Sequence, residues 1–286
     1  MRNPILLAII SIVIISMACS FTINLPEFRG RTGETVTDDI NVQFLDDPEE
    51  IVDLELVFGA GELILEPGAI DALVIGTAEY NIKEFKPEVT RSDNKVQIKQ
   101  GESERFTTID TTIKNKWNLA LSGTPMNLSI SAGAYKGTFE LGGLCLVNLH
   151  VTEGASETTL SFSNPNLVEM KSLHYKTGAS SAHLLNLAHA NFEIMEFMGG
   201  VGSYTLDFSG ELQRDATVKI DAGLSNLVIA VPRGIPTRLM VEGALTNINT
   251  KGDWQRSGNE YVLTGSGPTI IFNISMGAGN LELEHP

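Results

Sequence analysis

FGAGELIL at Phe58–Leu65 and MGAGNLEL at Met276–Leu283 are near copies placed close to the two ends of a 286-residue chain. With the glycine at each turn taken as an anchor, eight segments align, on Gly59, Gly133, Gly154, Gly178, Gly200, Gly223, Gly243 and Gly277. Three positions before the anchor stand Leu56, Ile130, Val151, Tyr175, Phe197, Ile220, Met240 and Ile274, all apolar in a chain that is 42% hydrophobic. Five positions before it the column is again apolar, from Leu54 to Phe272, with Arg238 the exception. The column between these two is mostly polar and includes Glu55, His150, His174 and Lys219. Such in/out alternation is the period-two pattern of a half-buried strand. Six positions after the anchor, residues such as Leu65, Phe139, Leu160 and Leu283 mark a second apolar column, with Asn249 the exception.

Between Gly133 and Gly243 the anchors recur every 20 to 24 residues. A fixed period of this size is the signature of a repeat architecture. The pattern predicts an all-β fold of about 20–24 residues per unit, each unit being two short strands about a turn glycine. One unit cannot bury its apolar columns alone, so neighbours stack into a continuous core. The two octets are then expected to be the first and last units of that stack. Two stretches break the period: residues 67–127, which contain a hairpin-like run turning at Ser92–Asn94, and residues 245–271, with Trp254 and Tyr261. Both are expected to cap the stack, since its end strands would otherwise expose unpaired edges.

The N-terminus, MRNPILLAIISIVIISMACS, has Arg2, an apolar run and small residues before Cys19. This is a secretion signal. It is similar to a bacterial lipoprotein signal in which Cys19 becomes the lipidated first residue, with Ala18 before it and Ser16 where that pattern usually has Leu. An uncleaved membrane anchor is the alternative, because no charge occurs between Arg2 and Glu27 and about twenty apolar residues span a bilayer. Simple cleaved secretion is the third. Each places the remainder outside the cytoplasm. With Cys19 lipidated, Cys145 has no disulfide partner and is expected to be a small buried hydrophobe.

A formal charge of −15 argues against nucleic acid as a partner, because phosphates must be neutralised by Lys and Arg. Twelve acidic residues against Arg29 and Arg31 lie between Glu27 and Glu66, and residues 20–50 read as a solvated acidic tether. The DDPEE run at 46–50 lacks calcium-loop spacing, with Pro48 in the way. GGVGSYTLD at Gly199–Asp207 has Tyr204 where a calcium β-roll needs Asp, and Thr205 where a dinucleotide loop needs its third glycine.

His150 and His174 share an outward column but supply only two ligands, and His183 and His189 lie elsewhere in the unit, so no metal site is assigned. The outward column after the second strand, including Glu66, Glu140, Ser161 and Asp207, offers no acid pair within the regular stack for glycan cleavage. There is no G-x-S-x-G elbow. Tyr135, Tyr175 and Tyr204 occupy different columns and are read as packing residues. No catalytic or cofactor residue is expected.

VDLELVFGAGELILEPGA at 52–69, EYNIKEFKPEV at 79–89 and WNLALSGTPMNLSISAGAYKGTFELGGL at 117–144 resemble the toast-rack family of bacterial envelope proteins. That family includes the extracytoplasmic C-terminal domain of LiaF-type cell-wall-stress regulators and adhesin-head-like domains. The resemblance covers residues 51–286. It implies a stack of strands resembling a right-handed single-stranded β-solenoid displayed at the envelope, with no enzymatic residues to carry over. Together these readings give a signal or anchor over 1–19, a tether over 20–50 and a β-repeat domain over 51–286. The expected protein is non-catalytic, anchored to a bacterial membrane and presenting a strand face, adhesin-like or wall-associated, to an envelope polymer or protein. A sensory component of an envelope-stress response, working with a membrane signalling partner, is the alternative.

Overall fold

A computed structural model of the chain describes residues 32–47, 50–101 and 113–286. The described residues hold fifteen strands: β1 Val36–Val42, β2 Val52–Ala69, β3 Val74–Tyr80, β4 Pro87–Ser92, β5 Lys95–Gln100, β6 Asn115–Ser122, β7 Met126–Glu140, β8 Leu146–Ser161, β9 Met170–Leu185, β10 Phe192–Asp207, β11 Ala216–Ala230, β12 Thr237–Thr250, β13 Gln255–Ser257, β14 Glu260–Leu263 and β15 Ile270–Glu284. They form one open sheet, a stacked-strand solenoid, in the order β1-β3-β6-β2-β7-β8-β9-β10-β11-β15-β12-β14-β13, with β4 on β5 and β5 on β2.

Each repeat unit is one long strand, or rung, rather than two short ones. In β8, Leu149, Val151 and Glu153 are buried before Gly154, whereas Thr158 and Leu160 are buried after it. Odd positions give way to even ones across the glycine. Rung β9 repeats this with Leu173, Tyr175 and Thr177, then Ala182 and Leu184. A straight strand keeps one parity, because successive side chains alternate faces. The change of parity means that the rung bends at the glycine, so that both of its arms turn their apolar columns toward one interior. Parallel in-register neighbours hold both arms: β8 pairs β9 from Asn148↔Ser172 to Glu153↔Thr177 and resumes at Ala155↔Ala179.

The pairing skips the glycine row for a steric reason. A Cβ placed on Gly178 would lie 2.6 Å from the carbonyl oxygen of Gly154, one on Gly154 would lie 2.9 Å from that of Gly133, and one on Gly223 would lie 2.5 Å from that of Gly200. Each bend therefore rests against the peptide of the bend before it, and only hydrogen fits between. The segments that return from one rung to the next are also layered. Phe162 N–H donates to Leu185 C=O at 3.2 Å and Phe208 N–H to Ala230 C=O at 2.8 Å, while both rings are buried. Asn166 closes a corner by donating Nδ2 to Leu146 C=O and accepting Leu146 N–H on Oδ1, each at 2.9 Å.

Three expectations require correction. The MGAGNLEL octet lies in β15, which pairs β11 on one side and β12 on the other, so it is not the last rung of the stack. The seventh unit, anchored on Gly243, is one residue out of register, since Leu239 aligns with Phe272 and Val241 with Ile274. Leu239 and Val241 are accordingly buried, whereas Met240 faces out. Arg238, the exception in its apolar column, also faces out and pairs with Glu260 at 2.8 Å. Third, residues 36–42 of the expected tether form β1, paired antiparallel with β3. Tyr80 donates its hydroxyl to Asp38 at 2.6 Å and Lys86 lies 3.3 Å from the same carboxylate, which compensates one acid of this strand.

The insertions do cap. β5 covers the first arm of β2 and β6 the second. β4 and β5 join at the turn expected at Ser92–Asn94, where Asp93 takes a φ of 50°. At the other end β14 and β13 cover the first arm of β12. The glycine row gives a direct test. Gly178→Ala is expected to lower stability by about 2 kcal/mol, the usual scale of overpacking against an unyielding neighbour, whereas Gly123→Ala, whose Cβ meets nothing within 4 Å, leaves thermal unfolding by circular dichroism nearly unchanged.

Candidate functional site

The outward face of the first arms carries rows of side chains one rung apart. His150 and His174 are register partners with ring centroids 5.8 Å apart. His174 Nδ1 lies 3.1 Å from Glu196 Oε2, and His150 Nε2 lies 3.2 Å from Thr152 Oγ1. Burial, then the neighbouring His174 and Lys176, hold His150 below the usual histidine range and favour its neutral form. Among the described residues no three His, Cys, Asp or Glu side chains converge in a way that could hold a metal. His189 lies apart, with Nδ1 2.9 Å from Phe162 C=O.

Another row is a polar ladder. Asn127 Nδ2 donates to Asp53 at 2.7 Å, Asn148 Nδ2 to Asn127 Oδ1 at 2.8 Å, and Ser172 Oγ to Asn148 Oδ1 at 2.8 Å. In the same row beyond Ser172 stand Ile194, Thr217 and Ile271, and the character changes. Ile194 is 44% exposed and Ile271 43%, with Met198 and Met240 exposed on the same face. A shallow depression beside Met240 is lined by Lys219, Asp221, Glu242 and Asn273. The face is thus polar and internally bonded at the β2 end, whereas at the β12 end four exposed apolar side chains stand among polar and charged ones such as Glu196, Lys219, Asp221 and Glu242.

The acids do not converge on an open cleft. Glu140 accepts from Ser161 Oγ at 2.6 Å, Gly142 N–H at 2.8 Å and Ser163 N–H at 3.0 Å. Burial pushes its pKa up, but these bonds outweigh it and hold the carboxyl below the usual range. Asp207 accepts from the backbone and hydroxyl of Ser209.

A more unusual acid lies inside. Glu153, 4% exposed, accepts the hydroxyl of Tyr135 at 2.6 Å and of Thr158 at 2.9 Å on Oε2, and that of Tyr175 at 2.8 Å on Oε1. Three neighbouring rungs supply this cluster, so Tyr135 and Tyr175 meet although they occupy different columns. Burial, then the Glu153 charge, pushes both phenols well above their ordinary range. The sequence signal for this residue was the column just before the anchor: Phe58, Thr177, Ala222 and Met276 are buried there, and of its two acids, Glu153 and Glu242, only Glu153 is buried.

Cys145 is a half-buried free thiol whose pKa is raised by burial, which makes it a poor nucleophile. Gly199–Asp207 forms the bend and second arm of β10. Cys19 lies outside the described residues, as does part of the DDPEE run. Among the described residues no helix is long and apolar enough to cross a membrane.

Residues 31–171 match the model of the N-terminal domain of toast_rack, DUF2154. No curated protein matches the chain. Similar solved structures include a protein described as a cell adhesion protein from Clostridium sporogenes, at 18% identity over 88% of this chain and 100% of that one, with a TM-score of 0.48. A protein described as an adhesin from Bacteroides fragilis shares 11% identity over 88% of this chain and 97% of its own, with a TM-score of 0.44. Another so described, from Parabacteroides merdae, shares 10% identity over 87% and 96%, with a TM-score of 0.37.

Two outcomes follow from the Glu153 cluster. Glu153→Ala strands two buried phenols and is expected to cost about 2–6 kcal/mol, at about 1–3 kcal/mol per unsatisfied buried group, with Glu153→Gln between it and the wild type in chemical denaturation. In alkali, the raised folded-state pKa of Tyr135 and Tyr175 stabilises the fold fully below the unfolded value near 10, and this contribution is lost as pH rises above it. Tyr80, pushed up to about 12 by burial and Asp38, adds a contribution that fades between pH 10 and 12. Ultraviolet titration should therefore show tyrosinate from these residues only as the circular dichroism signal collapses.

Proposed function

From a chain whose residues 31–171 belong to the toast-rack N-terminal domain family, we propose a non-catalytic surface protein of the bacterial envelope that presents its stacked first arms as a binding face. The observation that carries the reading is the contrast on that face. Its titratable groups are spread along the rungs and paired with neighbours, as His174 is with Glu196, whereas the β10–β12 end exposes Ile194, Met198, Met240 and Ile271. Acid and base chemistry needs grouped, accessible residues. Exposed apolar side chains gathered at one end of a face, among polar neighbours, are instead what a partner covers.

The secretion-type N-terminus supports placement outside the cytoplasm, with Cys19 as the lipid attachment site and the membrane as the first partner. The ligand is an envelope polymer or another protein, and a wall polymer is the first probed. Sedimentation with purified sacculi tests this: the wild type should co-sediment, and Ile194→Asp with Ile271→Asp should weaken retention about tenfold, equivalent to about 1.4 kcal/mol, without changing the melting curve. Wild-type protein that stays in the supernatant would remove the wall-polymer reading. The anchor is tested separately by intact mass of membrane fractions. A diacylglyceryl-sized increment on a chain starting at Cys19, lost in Cys19→Ala, is the expected result.

A further inference from the structure

At the β12 end the sheet stops in an unguarded edge. Hairpin β13–β14 pairs only with Thr237–Met240, before the bend. Beyond the bend, Asn247–Thr250 is bonded to β15 on one side and, among the described residues, to no strand on the other. Exposed edges are ordinarily blunted by charge, proline or cover, because a row of unpaired N–H and C=O groups recruits other strands. The outer strands at the opposite end obey this: β1 carries Asp38 and Asp39, and β4 starts with Pro87 and carries Glu88 and Arg91. Residues 246–250 read TNINT, with no charge and no proline.

Two further features say what the edge accepts. TNINT reads the same in both directions, so an antiparallel copy centred on Ile248 brings position 246 opposite 250 and 247 opposite 249, twice over. That self-complementarity is what a two-fold interface requires. In addition, an outward asparagine row crosses the last rungs: Asn226 of β11, Asn280 of β15 and Asn247 of β12 are register partners. Asn280 Nδ2 donates to Asn226 Oδ1 at 2.8 Å. In the antiparallel arrangement the partner's Asn249 falls next in this row, and stacked amides of this kind hydrogen-bond along the sheet.

We propose that a second copy of this chain pairs with the first along the Thr246–Thr250 edge of β12, making a two-fold, edge-to-edge dimer. The proposal stands apart from the reading of the first-arm face, and either can fail alone. A net charge of −15 per chain opposes association, so the dimer strengthens with salt.

The test uses the full chain in detergent micelles, with protein mass followed by light scattering across a dilution series. The wild type should give twice the monomer mass at moderate salt, and the double variant Asn247→Lys, Asn249→Lys should return to the monomer with an unchanged melting curve. In a second arm, mild oxidation of the double variant Asn247→Cys, Asn249→Cys should yield a covalent dimer, since directly opposed Cβ atoms lie about 5 Å apart, while Asn127→Cys should not; this arm decides if the lysine variant fails to fold. Monomeric wild type at every concentration would overturn the proposal, as would a dimer that survives folded lysine substitution, a cross-link formed equally from Asn127→Cys, or cross-linking of the edge cysteines to a different protein.

Discussion

The contact on which this molecule depends is that of one glycine against the carbonyl oxygen of another. Rungs in parallel register lie about 4.8 Å apart, and where each bends its backbone must pass over the bend below. A side chain at that point would meet the peptide oxygen of the neighbouring rung, as the spacing of Gly178 to Gly154 and of Gly223 to Gly200 makes plain. Hydrogen at the bend lets both arms stay in register at once. From that follow the shared interior, the change of burial parity and the continuous stacking of Leu149, Leu173 and Met195. Lose the glycine at one level, and the two arms can no longer both keep their hydrogen bonds to the rung beneath.

Against this apolar interior Glu153 is a costly exception. A buried carboxylate is tolerated only when its oxygens are fully engaged, and three hydroxyls from Tyr135, Thr158 and Tyr175 do so here. Because the donors come from the rungs on both sides, the cluster ties β7, β8 and β9 together by directional bonds. Apolar contacts alone tolerate small shifts of register, whereas this cluster does not.

Much of this was legible in the sequence because the inward columns repeat with little variation and the turn residue is nearly always glycine. Legibility failed where chain order and spatial order part. Nothing in MGAGNLEL reveals that β15 slips between β11 and β12, since octets belonging to any two rungs look alike. The seventh register failed by one residue, and the warning was Arg238: moving the anchor to Ala244 places Leu239 and Val241 inward and sends Arg238 to Glu260. β1 was hidden by composition. Its acids suggested solvent, but Ile40 and Val42 are buried against the sheet and Asp38 is compensated by Tyr80 and Lys86. Glu153 was visible only to a reader who followed the column beside the glycine as closely as the columns further out.

The position of β15 has a consequence for how the molecule is made. Rungs β7 to β11 can join in the order in which they emerge from a ribosome or a translocation pore, each finding its platform already formed. β12 cannot, because its platform is a strand that comes later in the chain. It can pair with its own hairpin, but both lack a place on the stack until β15, fifteen residues long, slots in between. Assembly of this end is therefore a closing step that depends on a strand later in the chain, and without residues 270–284 β12 has no parallel neighbour.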